Sequence, residues 1–142
     1  MSQLAKAIAL ASKVFESKTD KGGKPYILHC LRVMNSVDQT DEELMQVAVM
    51  HDVVEDSDIT IYDLAAMGFS ERVTIAVKTL THDKNIPYDD YIKAIALNKD
   101  ARVVKLADLT DNSSIVRLKG IGKRDFDRME KYHKSFLYLN RI

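Results

Sequence analysis

The sequence predicts an all-α fold of about seven helices, and three observations carry that expectation. Apolar residues recur at spacings of three and four along most of the 142 residues. No stretch alternates apolar and polar residues with the period of two that a half-buried strand requires. Capping residues precede the periodic stretches, and glycine, proline or clustered polar residues follow them.

Residues 2–17 place Leu4, Ile8, Ala11 and Phe15 on one helical face, with Ser2 available as a cap. Lys18-Thr19-Asp20-Lys21-Gly22-Gly23-Lys24 reads as a polar loop. Pro25 suits the first turn of the next helix, whose apolar content from Tyr26 to Val37 is interrupted by His29. Thr40 or Asp41 can cap a helix through Leu44, Val47, Ala48 and Met50. Asp58 or Thr60 opens a short one with Ile61, Leu64 and Met67 that stops at Gly68. Ser70 opens another with Val73, Ile75, Val77 and Leu80, closed by the polar connection 81–87, where His82 is expected to be solvent exposed. Tyr91, Ile92, Ile95 and Leu97 mark a further helix, and residues 101–118 follow with Val103, Val104, Leu106 and Ala107. After a turn at 119–122, a last helix from about Arg124 is expected to bury Phe126, Met129, Tyr132, Phe136, Leu137 and Leu139, with His133 on its surface.

Composition narrows the function classes. Hydrophobic residues make up 46% and charged residues 30%, the balance of a globular chain that can build a core. Twenty-one basic residues match 21 acidic ones, so no global field would draw the chain to nucleic acid or an anionic membrane. Cys30 is the sole cysteine, which excludes an internal disulfide and a Cys-based zinc site and suggests a buried, inert thiol. Neither a secretion pattern nor a bilayer-length apolar stretch is present, so the expected location is cytoplasmic.

The functional signal is concentrated in Val47-Ala48-Val49-Met50-His51-Asp52-Val53-Val54-Glu55-Asp56, an apolar run that ends in ionisable groups. If the run stays helical, His51 and Glu55 share one face, and Asp52 and Asp56 form a second pair one residue round. Taken alone, ordinary helix-end charges and a divalent metal site account for the tract equally well. Two further apolar helices carry groups that a core normally excludes, His29 and Asp108, and Asp111 and Asn112 fall on the Asp108 side of their helix. One metal would satisfy His29, His51, Asp52 and Asp108 together, and two imidazoles with two carboxylates favour manganese, iron or zinc over magnesium.

Lys24-Pro25-Tyr26-Ile27-Leu28-His29, His51-Asp52-Val53-Val54-Glu55-Asp56 and Val104-Lys105-Leu106-Ala107-Asp108 resemble, in order and spacing, the motifs of HD-domain phosphohydrolases. Within that superfamily the chain is most similar to the hydrolase domain of the RelA/SpoT enzymes and their small stand-alone relatives, which remove the 3′-pyrophosphate of ppGpp. The resemblance runs from about residue 3 to residue 118 and implies a single HD-type helical domain over residues 1–142, without a synthetase domain. It implies that His29, His51, Asp52 and Asp108 hold one divalent ion, typically Mn²⁺, with Fe²⁺, Zn²⁺, Co²⁺ or Ni²⁺ also compatible. Glu55 and Asp56 would activate and orient the attacking water, and Asn112 would contact the nucleotide sugar.

The chain departs from the family pattern at Asp20-Lys21, where the relatives carry an Arg-Lys pair whose arginine packs on guanine, and at Ile115, where they carry threonine. Lys21, Lys24 and Lys84 are the candidate cations for the substrate phosphates. The implied partner is a small phosphorylated nucleotide, with neither nucleic acid nor membrane involved, and both a monomer and a homo-oligomer fit the sequence. Three readings follow. The first is hydrolysis of ppGpp-like alarmones. The second is a phosphatase for another nucleotide, such as NADPH or a nucleoside mono- or triphosphate. The third is a catalytically weak nucleotide-binding regulator.

Overall fold

A computed structural model describes residues 2–141 and contains eight α-helices among them. In order they are α1 (Gln3–Val14), α2 (Ile27–Asn35), α3 (Glu42–Met50), α4 (Ile61–Ala66), α5 (Glu71–Leu80), α6 (Tyr88–Ala96), α7 (Lys99–Asn112) and α8 (Lys123–Asn140). The only β-type pairing among the described residues is an isolated antiparallel bridge between Thr19 and Pro25.

The centre of the fold is α3. Every residue from Leu44 to Met50 is buried, so this helix has no solvent face and serves as the axis on which α1, α2, α5 and α7 pack. Ala7 and Ala11 of α1 are fully buried, and their small side chains let α1 lie close to α3. Asp41 caps α3 by accepting from the Leu44 N–H. Arg72 at the start of α5 then grips Asp41, Glu43 and the Asp100 carboxylate of α7, tying three helix beginnings together at one end of the bundle. Ser2, Thr60, Ser70 and Asn98 accept from main-chain N–H groups at the starts of α1, α4, α5 and α7. The Cys30 thiol sits in this core, where burial pushes its pKa up to about 12, as suits an inert side chain.

Three expectations need correction. The tract 51–56 is not helical: α3 ends at Met50, and His51 to Asp56 form successive turns. His51 itself explains the break, because its Nδ1 lies 2.7 Å from the Ala48 carbonyl oxygen and competes for the acceptor that a continuing helix would use. The chain proceeds instead by Val53 N–H to Met50 O and Asp56 N–H to Asp52 O. Likewise α7 stops at Asn112 rather than reaching residue 118. The Arg117 guanidinium donates to the Asp111 carbonyl at 2.6 Å, holding 114–118 as turns folded back on the helix end. Finally, α8 buries Leu139 and packs half-buried Tyr132 and Phe136 against the core as expected, but Phe126 and Leu137 are exposed. Among the described helices it packs on α6 and α7, and α7 ends too early to cover its first turns.

Candidate metal centre and adjoining cleft

The fold brings four of the sequence candidates to one point. His29 comes from α2, His51 and Asp52 from the end of α3, and Asp108 from α7, and one ligand atom from each lies within 4.8 Å of all the others. His29 Nε2 is 3.0 Å and His51 Nε2 3.2 Å from the same Asp108 Oδ1, and His51 Nε2 is 3.0 Å from Asp52 Oδ2. His51 keeps helical backbone angles at the end of α3, and its Nε2 and the Asp52 carboxylate still reach the same centre.

Hydrogen bonds behind the two imidazoles decide what their inner faces present. His51 Nδ1 donates to the Ala48 carbonyl, and His29 Nδ1 donates to Asp111 Oδ2 at 2.6 Å. With Nδ1 so engaged, the inward nitrogen of each ring is Nε2, which faces Asp108 in His29 and both Asp52 and Asp108 in His51. Four electron-pair donors cannot share so small a buried volume unless a proton or a cation sits among them. The residues therefore fit a divalent ion, with nitrogen and oxygen donors suited to a borderline first-row metal. Electrostatics agree with this fit. Burial pulls the His51 pKa down, but Asp52 and Asp108 overcome it and hold the imidazole well above its ordinary value. Burial opposes ionisation of Asp108 too, yet Lys105 and His51 keep it well below the usual carboxylate range. A field that attracts a proton this strongly attracts a divalent cation as well.

Supporting contacts hold the ligands. Lys105 Nζ is 3.0 Å from Asp108 Oδ2, Asn112 Nδ2 donates to Asp108 Oδ1 at 3.0 Å, and the Tyr26 hydroxyl donates to Asp52. No side-chain nitrogen or oxygen buried among the described residues lacks a partner. Lys105, Tyr26 and Asp111 were not among the sequence candidates. The sequence already places Asp111 on the Asp108 side of the helix without giving it a role, and Lys105, three residues before Asp108, could have been found from the same spacing. Tyr26 stands three residues before His29, but its partner Asp52 comes from another element, which spacing does not reveal.

Beside the cluster opens a cleft of about 310 Å³, lined by Asp52, Glu55 and Asp56 from the end of α3 and the turns after it, by Asn112 of α7, and by Arg128 and Tyr132 of α8. Lys18, Lys21 and Arg117 also line it. A larger groove of about 620 Å³ between α6 and α8 touches none of the four cluster residues, so the smaller cleft is the chemically relevant one. Glu55 Oε1 accepts the His82 N–H at 2.7 Å, and Asp56 pairs with Lys18 at 2.9 Å. Glu55 exposes much of its area, yet the protein around its carboxylate removes enough hydration to raise its pKa, and the charges of Asp52 and Asp56 add to the effect.

Of the cations expected from sequence, Lys21 faces the cleft, whereas Lys24 and Lys84 are exposed and do not line it. Asp20, at the position of the family's base-packing arginine, spends its Oδ1 accepting the N–H groups of Gly22 and Lys24. It shapes the loop that carries Lys21. His82 is half-buried rather than solvent exposed, because its ring stacks on Tyr91 at 4.5 Å and its Nε2 donates to the Ile86 carbonyl.

Comparison with known proteins places this geometry. No protein-family model matches the chain. A Vibrio cholerae protein named guanosine-3′,5′-bis(diphosphate) 3′-pyrophosphohydrolase is 32% identical over 122 residues, which cover 77% of the chain and 17% of that protein. The chain belongs to the HD-domain family of these hydrolases. The Danio rerio relative MESH1, with the same enzyme name, is 35% identical over 98 residues, covering 63% of the chain and 54% of that protein. The HD-domain chain thus spans a small part of the long bacterial relative and about half of the short one. A solved structure of a metazoan ortholog of SpoT that hydrolyses ppGpp shares its fold, with a TM-score of 0.78 at 21% identity over 98% of this chain and 85% of that one. No described helix of the HD-domain chain is long and apolar enough to cross a membrane.

Proposed function

We propose that this HD-domain chain is a metal-dependent phosphohydrolase that releases the 3′-pyrophosphate of (p)ppGpp in the cytoplasm. The observation that carries the reading is the convergence of two imidazoles and two carboxylates, one ligand atom from each within 4.8 Å of the others, beside a cleft that holds both Glu55 and cationic side chains. The names of the relatives point to the same substrate.

His29, His51, Asp52 and Asp108 would hold the ion, with Mn²⁺ favoured. Held by these residues, the ion would supply a lowered pKa for its water, from 15.7 toward about 7, and polarisation of a phosphoryl oxygen. Glu55, with its raised pKa, accepts the proton of the attacking water, a contribution of roughly 10²- to 10⁴-fold. Asp56, braced by Lys18, orients that water from the same side of the cleft. The water oxygen bonds to the phosphorus attached to the ribose 3′-oxygen. That P–O bond breaks, and the 3′-oxygen takes up a proton to balance the one Glu55 accepted from the water, giving guanosine 5′-diphosphate from ppGpp (the 5′-triphosphate from pppGpp) and pyrophosphate. Lys21, Arg117 and Arg128 neutralise the phosphates from the rim, and Asn112 faces the sugar.

The decisive experiment loads the purified protein with Mn²⁺, supplies ppGpp and resolves the products by anion-exchange chromatography. Stoichiometric GDP and pyrophosphate are expected. Loss of phosphate from NADPH or from a nucleoside mono- or triphosphate, with ppGpp left intact, would move the assignment to another nucleotide. A metal-loaded protein that cleaves nothing in such a panel would overturn the enzyme reading.

A further inference from the structure

His29 is held from both sides. Its Nε2 faces Asp108, while its Nδ1 lies 2.6 Å from Oδ2 of Asp111, one turn further along α7. Asp111 is itself clamped. Arg32 donates Nε to Oδ1 at 2.7 Å and Nη2 to Oδ2 at 3.1 Å, and Arg117 donates Nη1 to both oxygens at 3.2 and 3.3 Å. The carboxylate keeps only 14% of its side-chain exposure. With two guanidinium groups already balancing its charge, Asp111 does not need an imidazole for neutrality. Its contact with Nδ1 serves to orient the ring. Arg117 differs from Arg32 in two respects: its Nη2 also donates to the Asp111 carbonyl, and it lines the cleft beside the metal centre, which Arg32 does not.

We propose that Asp111 is a positioning residue for the metal centre, fixing His29 with hydrogen on Nδ1 and a lone pair on Nε2, and that Arg117 joins this hold to the phosphate-binding side of the cleft. A carboxylate behind a ligating histidine fixes both ring orientation and tautomer and raises ligand basicity. Removing such a partner typically costs about 10- to 100-fold in metal affinity. Arg32 supplies an internal control, because it grips the same carboxylate from outside the cleft. The role of Asp111 requires only that the four residues hold a metal; the part assigned to Arg117 rests on the phosphohydrolase reading.

The test compares Asp111→Asn, Arg32→Gln and Arg117→Gln with the wild type. Electron paramagnetic resonance reads free Mn²⁺ during a titration, and steady-state kinetics with ppGpp follow at saturating Mn²⁺. Asp111→Asn is expected to weaken Mn²⁺ binding by about 10- to 100-fold, with activity largely recovered at saturating metal. Arg32→Gln, which keeps the carboxylate and guards against a misfolded Asp111 variant, is expected to weaken Mn²⁺ less and to leave KM unchanged. Arg117→Gln should weaken Mn²⁺ to a similar extent and also raise KM several-fold, on the order expected for one lost charge-assisted phosphate contact. Mn²⁺ affinity of a folded Asp111→Asn within about twofold of wild type would overturn the positioning role, and equal KM values for the two arginine variants would overturn the link to the cleft. A wild type that binds Mn²⁺ but leaves ppGpp intact would sink the hydrolase reading and with it the Arg117 link, while the Mn²⁺ titrations would still decide the role of Asp111.

Discussion

The main-chain N–H of His82 donates to Oε1 of Glu55 at 2.7 Å, so a connection between α5 and α6 holds the proposed base in place. The bond occupies Oε1 and leaves Oε2 for water. Lost hydration, followed by the nearby Asp52 and Asp56 charges, outweighs the His82 N–H and Lys105 and raises the Glu55 pKa. A base works deprotonated, so kcat should increase as pH rises through that pKa, with its acidic limb above the ordinary glutamate value of about 4.3. Glu55→Gln should lower kcat by roughly 10²- to 10⁴-fold and leave Mn²⁺ affinity near wild type. Steady-state rates across pH for both proteins check this, and a fully active Glu55→Gln would remove Glu55 from the mechanism.

Asp111 also sets a pH dependence of stability. Burial opposes its ionisation, but Arg32 and His29 lower its pKa from 3.8 to about 2. A carboxylate whose folded pKa is depressed stabilises the fold above its unfolded pKa and loses that contribution as pH falls through the folded value. A depression of this size is worth about 2 kcal/mol at neutral pH, lost progressively below about pH 4. Urea unfolding should therefore show wild type losing stability more steeply than Asp111→Asn between pH 6 and pH 3. Parallel losses in the two proteins would rule out this source of acid sensitivity.

The helical pattern was legible because each helix has an apolar face and a local cap. Ser2, Asp41, Thr60 and Ser70 all cap as their positions suggest. The four cluster residues stood out because each is an ionisable group on an apolar stretch. Three kinds of feature escaped. The break after Met50 depends on a side chain, His51, competing with its own backbone, and periodicity does not register that. His82 acquires its role through a main-chain N–H, which every residue but proline has. Arg117 reaches the cleft only because 114–118 fold back on α7, a tertiary event with no local sequence signature.

The cations divide by position. Lys21 lines the cleft, whereas Lys84 is exposed and stands away from it. Lys84→Ala should leave KM for ppGpp within about twofold of wild type, as ordinary surface substitutions do. Lys21→Ala and Arg128→Ala should each raise KM by about 10-fold, the value of a lost charge-assisted phosphate contact of about 1.4 kcal/mol. Measuring KM for the three variants under one condition separates the cleft cations from the surface. A Lys84→Ala defect as large as that of Lys21→Ala would mean that the substrate reaches beyond the cleft.

Gly22 explains how the two walls of the cleft stay in register. The loop 18–25 is closed by the Thr19–Pro25 bridge and by Asp20 accepting from Gly22 and Lys24, and it turns at Gly23, whose φ of +82° suits glycine. Its neighbour Gly22 is needed for a different reason: a Cβ there would collide with the carbonyl oxygen of Arg117. That obstacle is backbone, and it belongs to the residue whose side chain holds Asp111, so it cannot swing aside as a flexible side chain would. Gly22→Ala should push the Lys18–Lys21 loop away from the 114–118 turns and raise KM for ppGpp several-fold, on the scale of about 1 kcal/mol for a modest steric displacement. The four cluster residues lie on α2, α7 and the end of α3, so Mn²⁺ affinity should change far less. If Gly22→Ala instead weakens Mn²⁺ as much as Asp111→Asn does, the contact between the walls supports the metal ligands as well as the nucleotide, and the division between them drawn from the geometry is wrong.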